Sequence, residues 1–128
     1  MEIQLSVDQL VGIAKVTRRQ LQWWDEKNII RPYTKENHRR IYGPIESLHV
    51  VIAAELRCKG FSPHQIRKVM PSIQRRRAKL LDDLYIVTTA DADDCYFSRD
   101  EALVTRIIAA SPCSMVVLDV AGLKKRIS

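Results

Sequence analysis

An apolar stripe at helical spacing opens the chain and is formed by Val7, Leu10, Val11 and Ala14. Ser6 lies just before this stripe, and Gln9 follows Ser6 at the spacing of a capping box, in which two side chains satisfy the free N–H groups of a helix start. The pattern predicts a first helix over about residues 7–14.

A second helix start follows after a gap of only two or three residues. Thr17 and Gln20 repeat the capping-box spacing, and Asn28 after Lys27 offers the left-handed conformation that often ends a helix. We therefore expect a helix around Thr17–Lys27, and two short helices joined by a tight turn are typical of a helix-turn-helix.

After the second helix, the helical spacing of apolar residues gives way to strand and turn signals. Pro32 prevents a helix from continuing through IIRPYTKENHRRIY, and KENH supplies turn residues between β-branched or aromatic segments. This predicts a β-hairpin over about 30–42 with its tip near Glu36–His38. Two more helices follow, one from Gly43-Pro44 to Gly60 and one from Ser62 to about Met70.

The remaining chain mixes helix and strand signals. Pro71-Ser72 is expected to reset the chain before a helix over about 73–81, and MVVLDV is expected to form a buried strand. Ser98 with Glu101 is expected to cap a helix that continues to about Ala110 and is broken by Pro112. The predicted fold class is mainly α with small β elements: a winged helix-turn-helix domain (1–71), a linking helix (72–84) and a small β-β-α-β unit (85–128).

Charge is unevenly distributed along the chain. The net charge is +6, but residues 1–81 hold 16 Lys and Arg against 7 Asp and Glu, whereas residues 82–128 hold 5 against 8. A basic domain concentrates polyanions, above all nucleic acid, although a solvated basic surface is the simpler alternative. The acidic remainder needs no such explanation.

The outward side of the second helix carries the chemistry of base recognition. Arg donates two hydrogen bonds to guanine and Gln pairs with adenine, so Arg18, Arg19 and Gln22 are able to read bases. The hairpin adds cations suited to phosphates. The candidate DNA-binding residues are Thr17, Arg18, Arg19, Gln20, Gln22, Trp23, Trp24, His38, Arg39, Arg40 and Tyr42. For Trp24 a place in the core is the favoured alternative.

These segments resemble a known family. VTRRQLQWWDEKNIIRP, RRIY and ELRCKGFSPHQIRKV are similar to the DNA-binding domain of MerR (mercury-resistance-type) regulators over about residues 5–70. The resemblance implies a homodimer on a pseudo-palindromic operator, with DNA contacts at Arg19, Arg40 and Tyr42, and RNA polymerase as a further candidate partner. Gln20, Gln22, Trp23, Trp24 and Arg39 depart from the usual pattern, as does the lack of a long helix after Met70.

The acidic tail admits several roles: effector sensing, dimerisation or docking of another protein. Its hydrophobic strands favour association, because an unpaired apolar edge is a liability. Asp91, Asp93 and Asp94 are interpreted as a polar turn, since the calcium-loop pattern is absent. The cysteines, Cys58, Cys95 and Cys113, are interpreted as core residues and not as a metal or redox cluster.

The sequence thus favours a cytoplasmic, dimeric regulator that binds double-stranded DNA, with no cofactor, metal or membrane partner. The alternative is an architectural protein, such as an excisionase, that bends DNA without regulating a promoter. We expect no enzymatic activity, because no catalytic set or phosphate loop is recognisable.

Overall fold

The computed structural model of the protein describes residues 4–110 and 114–128. Its helices are α1 (Val7–Ala14), α2 (Arg18–Glu26), α3 (Pro44–Cys58), α4 (Pro63–Arg75), a 3-10 helix (Arg77–Asp82), α5 (Glu101–Ala110) and α6 (Val120–Ile127). Its strands are β1 (Leu5–Ser6), β2 (Thr34–Glu36), β3 (Arg39–Tyr42), β4 (Tyr85–Thr89), β5 (Cys95–Ser98) and β6 (Met115–Asp119). The chain is mostly helical with small antiparallel sheets, as the sequence predicts. The predicted break at Pro112 and the prediction for Cys113 lie outside the described residues.

The strands form two three-stranded antiparallel sheets. In the first sheet the order is β1-β3-β2, and β2 and β3 form a hairpin that turns at Asn37-His38. Both turn residues have positive φ, 50° and 64°, as a tight two-residue hairpin turn requires. In the second sheet the order is β5-β4-β6, so β4 is the central strand.

The first two helices begin where their capping residues predict. The Oγ of Ser6 accepts a hydrogen bond from the N–H of Gln9, and the Gln9 side chain accepts one from the N–H of Ser6. Thr17 and Gln20 make the same reciprocal pair at the start of α2, at 3.0 and 2.9 Å. Local sequence therefore sets both helix starts.

The predicted reset at Pro71 is wrong. Pro71 lies inside α4, which continues to Arg75. A proline within a helix removes one backbone hydrogen bond and costs about 3 kcal/mol. The helix persists because Pro71 faces water, while the residues on its opposite side are buried in the core: Ile66, Val69, Met70 and Ile73. The expected helix over 73–81 is correspondingly replaced by the end of α4 and the 3-10 helix.

The acidic tail also differs from the prediction. A helix that we did not predict, α6, follows β6 directly and is capped by Asp119, whose Oδ1 accepts from the N–H of Gly122 at 3.1 Å. The start of α5 was assigned to the wrong residue, since Asp100 and not Ser98 accepts from the N–H of Ala102. β6 is not a buried strand: it lies at a sheet edge and only its Leu118 is buried.

One hydrophobic core joins the two halves of the chain. α3 packs against α1 and β3 on one side and against α6 on the other. The same cluster of buried residues includes Leu10 and Leu21 from the first half and Ile86, Leu118 and Leu123 from the second. Residues on the core-facing side of the second sheet therefore belong to the same hydrophobic core as the first two helices. The division into separate domains stays a prediction.

Candidate nucleic-acid interface

Helix α2 presents one polar face to solvent. Leu21 and Trp24 are buried in the core, whereas Arg18, Arg19 and Gln22 are exposed. Trp23 is partly exposed, at 37% of its surface. A helix with this division can pack on the protein with one side and present hydrogen-bond donors with the other.

The two ends of α2 are fixed by the backbone around it. Lys15 adopts a left-handed conformation, with φ 56°, and this turns the chain between α1 and α2. At the other end Asn28 is also left-handed, with φ 57°, and the N–H of Ile29 donates to the carbonyl of Trp24 at 2.8 Å. The predicted stop at Asn28 is confirmed, and it forms a Schellman motif that satisfies the last carbonyls of the helix.

A buried carboxylate ties α2 to the hairpin. Asp25, whose side chain is 3% exposed, accepts a hydrogen bond from Nε of Arg40 at 2.7 Å, and Nζ of Lys35 lies 3.0 Å from the same oxygen. Nε of Arg31 lies 3.6 Å from the other oxygen. Burial opposes ionisation of Asp25, but the bonds from Arg40 and Lys35 outweigh it and hold the pKa of Asp25 below its usual value.

The hairpin and α2 form the two walls of one open cleft. It has a volume of about 590 Å³ and is lined by Ser6, Val7, Asp8, Arg18, Gln22, His38, Arg39, Arg40 and Ile41. Arg18 forms an ion pair with Asp8 across a highly exposed surface. The cleft therefore combines donors from the helix with cations from the hairpin, a combination that suits an anionic polymer.

Two predicted DNA contacts are placed in the core instead. Trp24 is 4% exposed and belongs to the hydrophobic core, which confirms the alternative favoured for it from the sequence. Tyr42 is 0% exposed, and burial raises its pKa to about 12. Its hydroxyl has no hydrogen-bond partner within residues 4–110 and 114–128. Neither side chain has surface to offer to DNA, so both are removed from the candidate interface.

The other predicted residues fall into two groups. Arg18, Arg19, Gln22, Trp23, His38 and Arg39 are exposed around the cleft or beside it. Thr17 and Gln20 are engaged in the cap of α2, and Arg40 is 23% exposed because Asp25 holds it against the hairpin. Their contribution is therefore mainly to position the exposed residues.

Three cations near this face are not among the residues predicted from the sequence. Arg31 and Lys35 are exposed and gather around Asp25, and Arg57 lines a second groove of about 350 Å³ on the other side of α2, together with Arg19, Trp23 and Phe61. The signal for the first two was available, because Arg31 and Lys35 lie on either side of the Pro32-Tyr33-Thr34 segment that leads into the hairpin. Arg57 is distant in sequence and only the packing of α3 brings it near.

The prediction that the cysteines are core residues is wrong for Cys58, which is exposed at the end of α3. Cys95 on β5 is partly buried, and burial raises its pKa to about 12. Oδ1 of Asp91 accepts hydrogen bonds from Oγ1 of Thr89 and from the N–H of Asp93, and Lys68 of α4 pairs with Asp93. The turn is thus closed by its own side chains and held against α4.

Comparison with known proteins identifies the first half of the chain. Residues 5–73 match the family model described as MerR HTH family regulatory protein. The match spans α1 through most of α4, and so includes α2 and the hairpin. A search of curated proteins found no match. None of the helices within residues 4–110 and 114–128 combines the length and apolar character that a membrane crossing requires.

Proposed function

The chain belongs to the MerR family of helix-turn-helix regulatory proteins, and on this basis we propose that it is a transcription regulator that binds a specific double-stranded DNA site as a homodimer. The observation that carries the proposal is the cleft between α2 and the hairpin, in which helix donors and hairpin cations face the same space. In this proposal α2 enters the major groove and the hairpin acts as a wing on the backbone.

The exposed residues divide by chemistry into two roles. Arg19 and Gln22 can make paired hydrogen bonds to base edges, whereas Lys35, His38 and Arg39 on the hairpin are suited to phosphates. The Gln22 side chain also donates a hydrogen bond to Glu26, one turn along the helix, at 2.9 Å. This bond restricts the Gln22 side chain before DNA binds. Specificity is therefore assigned to α2 and general affinity to the hairpin.

Arg40 acts indirectly in this proposal. Its Nε is occupied by Asp25, so its main effect is to fix the angle between the hairpin and α2. A reading helix and a wing recognise DNA together only when their relative position matches the spacing of groove and backbone. The charge pair adds to the packing of the small sheet, whose Leu5 and Tyr42 are buried in the core.

We propose further that the protein acts by binding and not by catalysis, with RNA polymerase as a candidate partner at the promoter. Two copies on a pseudo-palindromic site would place their reading helices in successive major grooves, about 34–36 Å apart. The operator then shares the twofold symmetry of the protein.

The direct test is selection of bound duplexes from a random library, followed by gel-shift titration. Arg19→Ala should weaken binding to the selected duplex by about 10- to 100-fold, because a paired Arg–guanine contact contributes about 1–3 kcal/mol. The matched control is Arg106→Ala on α5, which removes the same charge from an exposed helix away from the cleft. Equal effects of both substitutions would contradict the assignment.

Footprinting on genomic DNA tests the regulatory part of the proposal. A single protected site between promoter elements supports a regulator. Tandem sites beside an attachment sequence would instead indicate an architectural protein that bends DNA, and the proposal would be abandoned.

A further inference from the structure

Strand β6 offers an open hydrogen-bonding edge. It pairs with β4 on one side, and no other described strand pairs with it on the other. The N–H of Ala90 donates to the carbonyl of Ser114, and the N–H of Val120 donates to the carbonyl of Leu84. Backbone groups alternate in direction along a strand, so those of Met115 and Val117 point away from β4.

The side chains of this edge are apolar. Met115, Val116 and Val117 form an uncharged run without proline, and all three are half-buried. Natural sheets usually protect such edges with charge, proline, a bulge or a covering element. At the opposite edge, β5 packs near α4, and the Arg76 guanidinium lies 4.8 Å from the centre of the Phe97 ring. Among residues 4–110 and 114–128, β4 is the one element in extensive contact with β6, and charged side chains of α3 and α6 lie beside the strand without pairing with its free edge.

Charge opposes the approach of two copies less at this edge than at the basic half of the chain. The excess of cations lies in residues 1–81, whereas residues 82–128 hold 5 basic against 8 acidic residues. Beside β6, Glu55 pairs with Lys59 at 3.8 Å and with Arg126 at 3.4 Å, so the charges around the strand are largely neutralised locally. Two copies that met through their first halves would bring together two regions of net charge +9, whereas two that met through β6 would bring together regions of net charge −3. Electrostatic repulsion is therefore weaker at β6.

We propose that a second copy of this chain adds its own β6 to this edge in antiparallel orientation, so that the two sheets join into one sheet of six strands. The need for two copies rests on the proposed function, since a pseudo-palindromic operator is read by a dimer. The family's usual long helix is replaced here by the 3-10 helix and the sheet, and the sheet provides the pairing surface in its place.

The pairing has a defined register. A twofold axis at Val116 places Met115 opposite Val117 of the second copy, and the reciprocal pair follows by symmetry. The outward N–H and C=O groups of both residues then find partners, and the apolar side chains meet apolar side chains. Tyr96, which is 42% exposed on β5, lies on the same sheet face as Val117 but two strands away.

The test is analytical ultracentrifugation of the full chain without DNA. Val117→Pro removes an N–H that points away from β4, so it leaves the β4–β6 hydrogen bonds intact and blocks only the added strand. We expect the wild-type chain to dimerise and this variant to raise the dimer dissociation constant at least tenfold. Met115→Lys, which places a charge opposite an apolar residue, should act in the same direction. Circular dichroism establishes that each variant is folded.

Tyr96→Lys is the matched control and should remain dimeric. A monomeric wild-type chain at micromolar concentration would overturn the proposal, and so would a folded Val117→Pro variant that dimerises as well as wild type. Equal loss in Tyr96→Lys would also overturn it, because the whole sheet face and not the edge would then hold the dimer. Failure of the wild-type chain to bind any selected DNA would contradict the proposed function and leave this measurement unaffected.

Discussion

The face formed by α2 and the hairpin and the free edge of β6 are two recognition surfaces built from different chemistry. The first face is charged: its cations are exposed or gathered around the buried carboxylate of Asp25. The second is apolar from Met115 to Leu118, and its recognition groups are backbone N–H and C=O beside these apolar side chains. This difference suits each surface to a different partner. Exposed cations attract a polyanion such as DNA and not a second copy of the same basic domain, whereas an open strand edge can pair with another strand.

Salt should separate the two surfaces by the largest margin. With about three phosphate contacts per copy, DNA affinity should fall about a thousandfold between roughly 50 and 200 mM salt, because bound cations release counterions from DNA. The dimer dissociation constant should change less than about threefold, since the residues that pair, Met115 to Val117, are uncharged and the charged side chains beside them are largely paired. Titrations by fluorescence anisotropy and by ultracentrifugation measure the two responses, and parallel responses would remove the distinction.

Low pH should destabilise both surfaces together, because α3 packs against elements of both halves of the chain. His49 is buried in α3, and burial lowers its pKa to about 4 from an ordinary value of 6.5. Between these values the unfolded chain binds a proton that the folded chain does not. The free energy of unfolding is therefore highest above pH 6.5 and should fall by about 3 kcal/mol as the pH is lowered to 4.

Denaturant titrations across this pH range measure the effect. His49→Leu should lose this component of the pH dependence. His64→Leu, an exposed position at the start of α4, should keep the wild-type profile. A His49→Leu variant with an unchanged profile would show that another group is responsible.

Substitution of Asp25 should affect only the charged surface. Asp25→Asn weakens the hydrogen bonds to Arg40 and Lys35, so the free energy of unfolding should fall by about 2 kcal/mol. DNA affinity should also fall under conditions where the variant is fully folded, since the hairpin loses its anchor on α2. Dimerisation should be unchanged.

Asp8→Ala is the control for this substitution. It also removes a carboxylate paired with a cation, but the pair with Arg18 is exposed to solvent and should contribute less than about 1 kcal/mol. If the two variants lose equal stability, Asp25 is not the special anchor that its burial indicates.

The smallest effect is expected at Tyr42, which lies beside the charged surface but is buried. Tyr42 lies at the root of the hairpin with its hydroxyl buried and without a partner among the described residues. Tyr42→Phe should raise the free energy of unfolding by about 1 kcal/mol, because a buried unsatisfied hydroxyl is removed. DNA affinity should not change.

The exposed Tyr33 provides the comparison, and Tyr33→Phe should alter stability little. Thermal unfolding and gel-shift titration measure both variants. Loss of DNA binding in Tyr42→Phe would return this residue to the interface.

The sequence predicts best those features that neighbouring residues determine. The capping pairs at Ser6 and Thr17 are three residues apart, so α1 and α2 were placed correctly. Pro71 was misjudged because its cost is offset by packing between α4 and distant elements. α6 was missed although Asp119, Leu123 and Ile127 provide a cap and an apolar stripe, since the preceding strand leads into it without a turn.

In the candidate site, too, the sequence predicts features that depend on neighbouring residues and misses those that depend on distant contacts. Arg18, Arg19 and Gln22 could be recognised from the outer face of a single helix. A core position for Trp24 was also favoured from the apolar side of that helix, whereas the burial of Tyr42 could not be predicted, because it depends on how β3 meets α3. The pairing of Asp25 with Arg40 joins residues 15 positions apart, and no local pattern marks it.

The continuous core from α1 to α6 has a consequence for the DNA that this protein can recognise. The reading helix and β6 belong to one packed body, so in the proposed dimer no hinge adjusts the separation of the two helices. Each base pair inserted between the half-sites moves one of them by about 3.4 Å and rotates it by roughly 35° around the duplex axis. The length of the operator spacer is then set by the protein's interior packing, and DNA that differs by one base pair must twist to compensate.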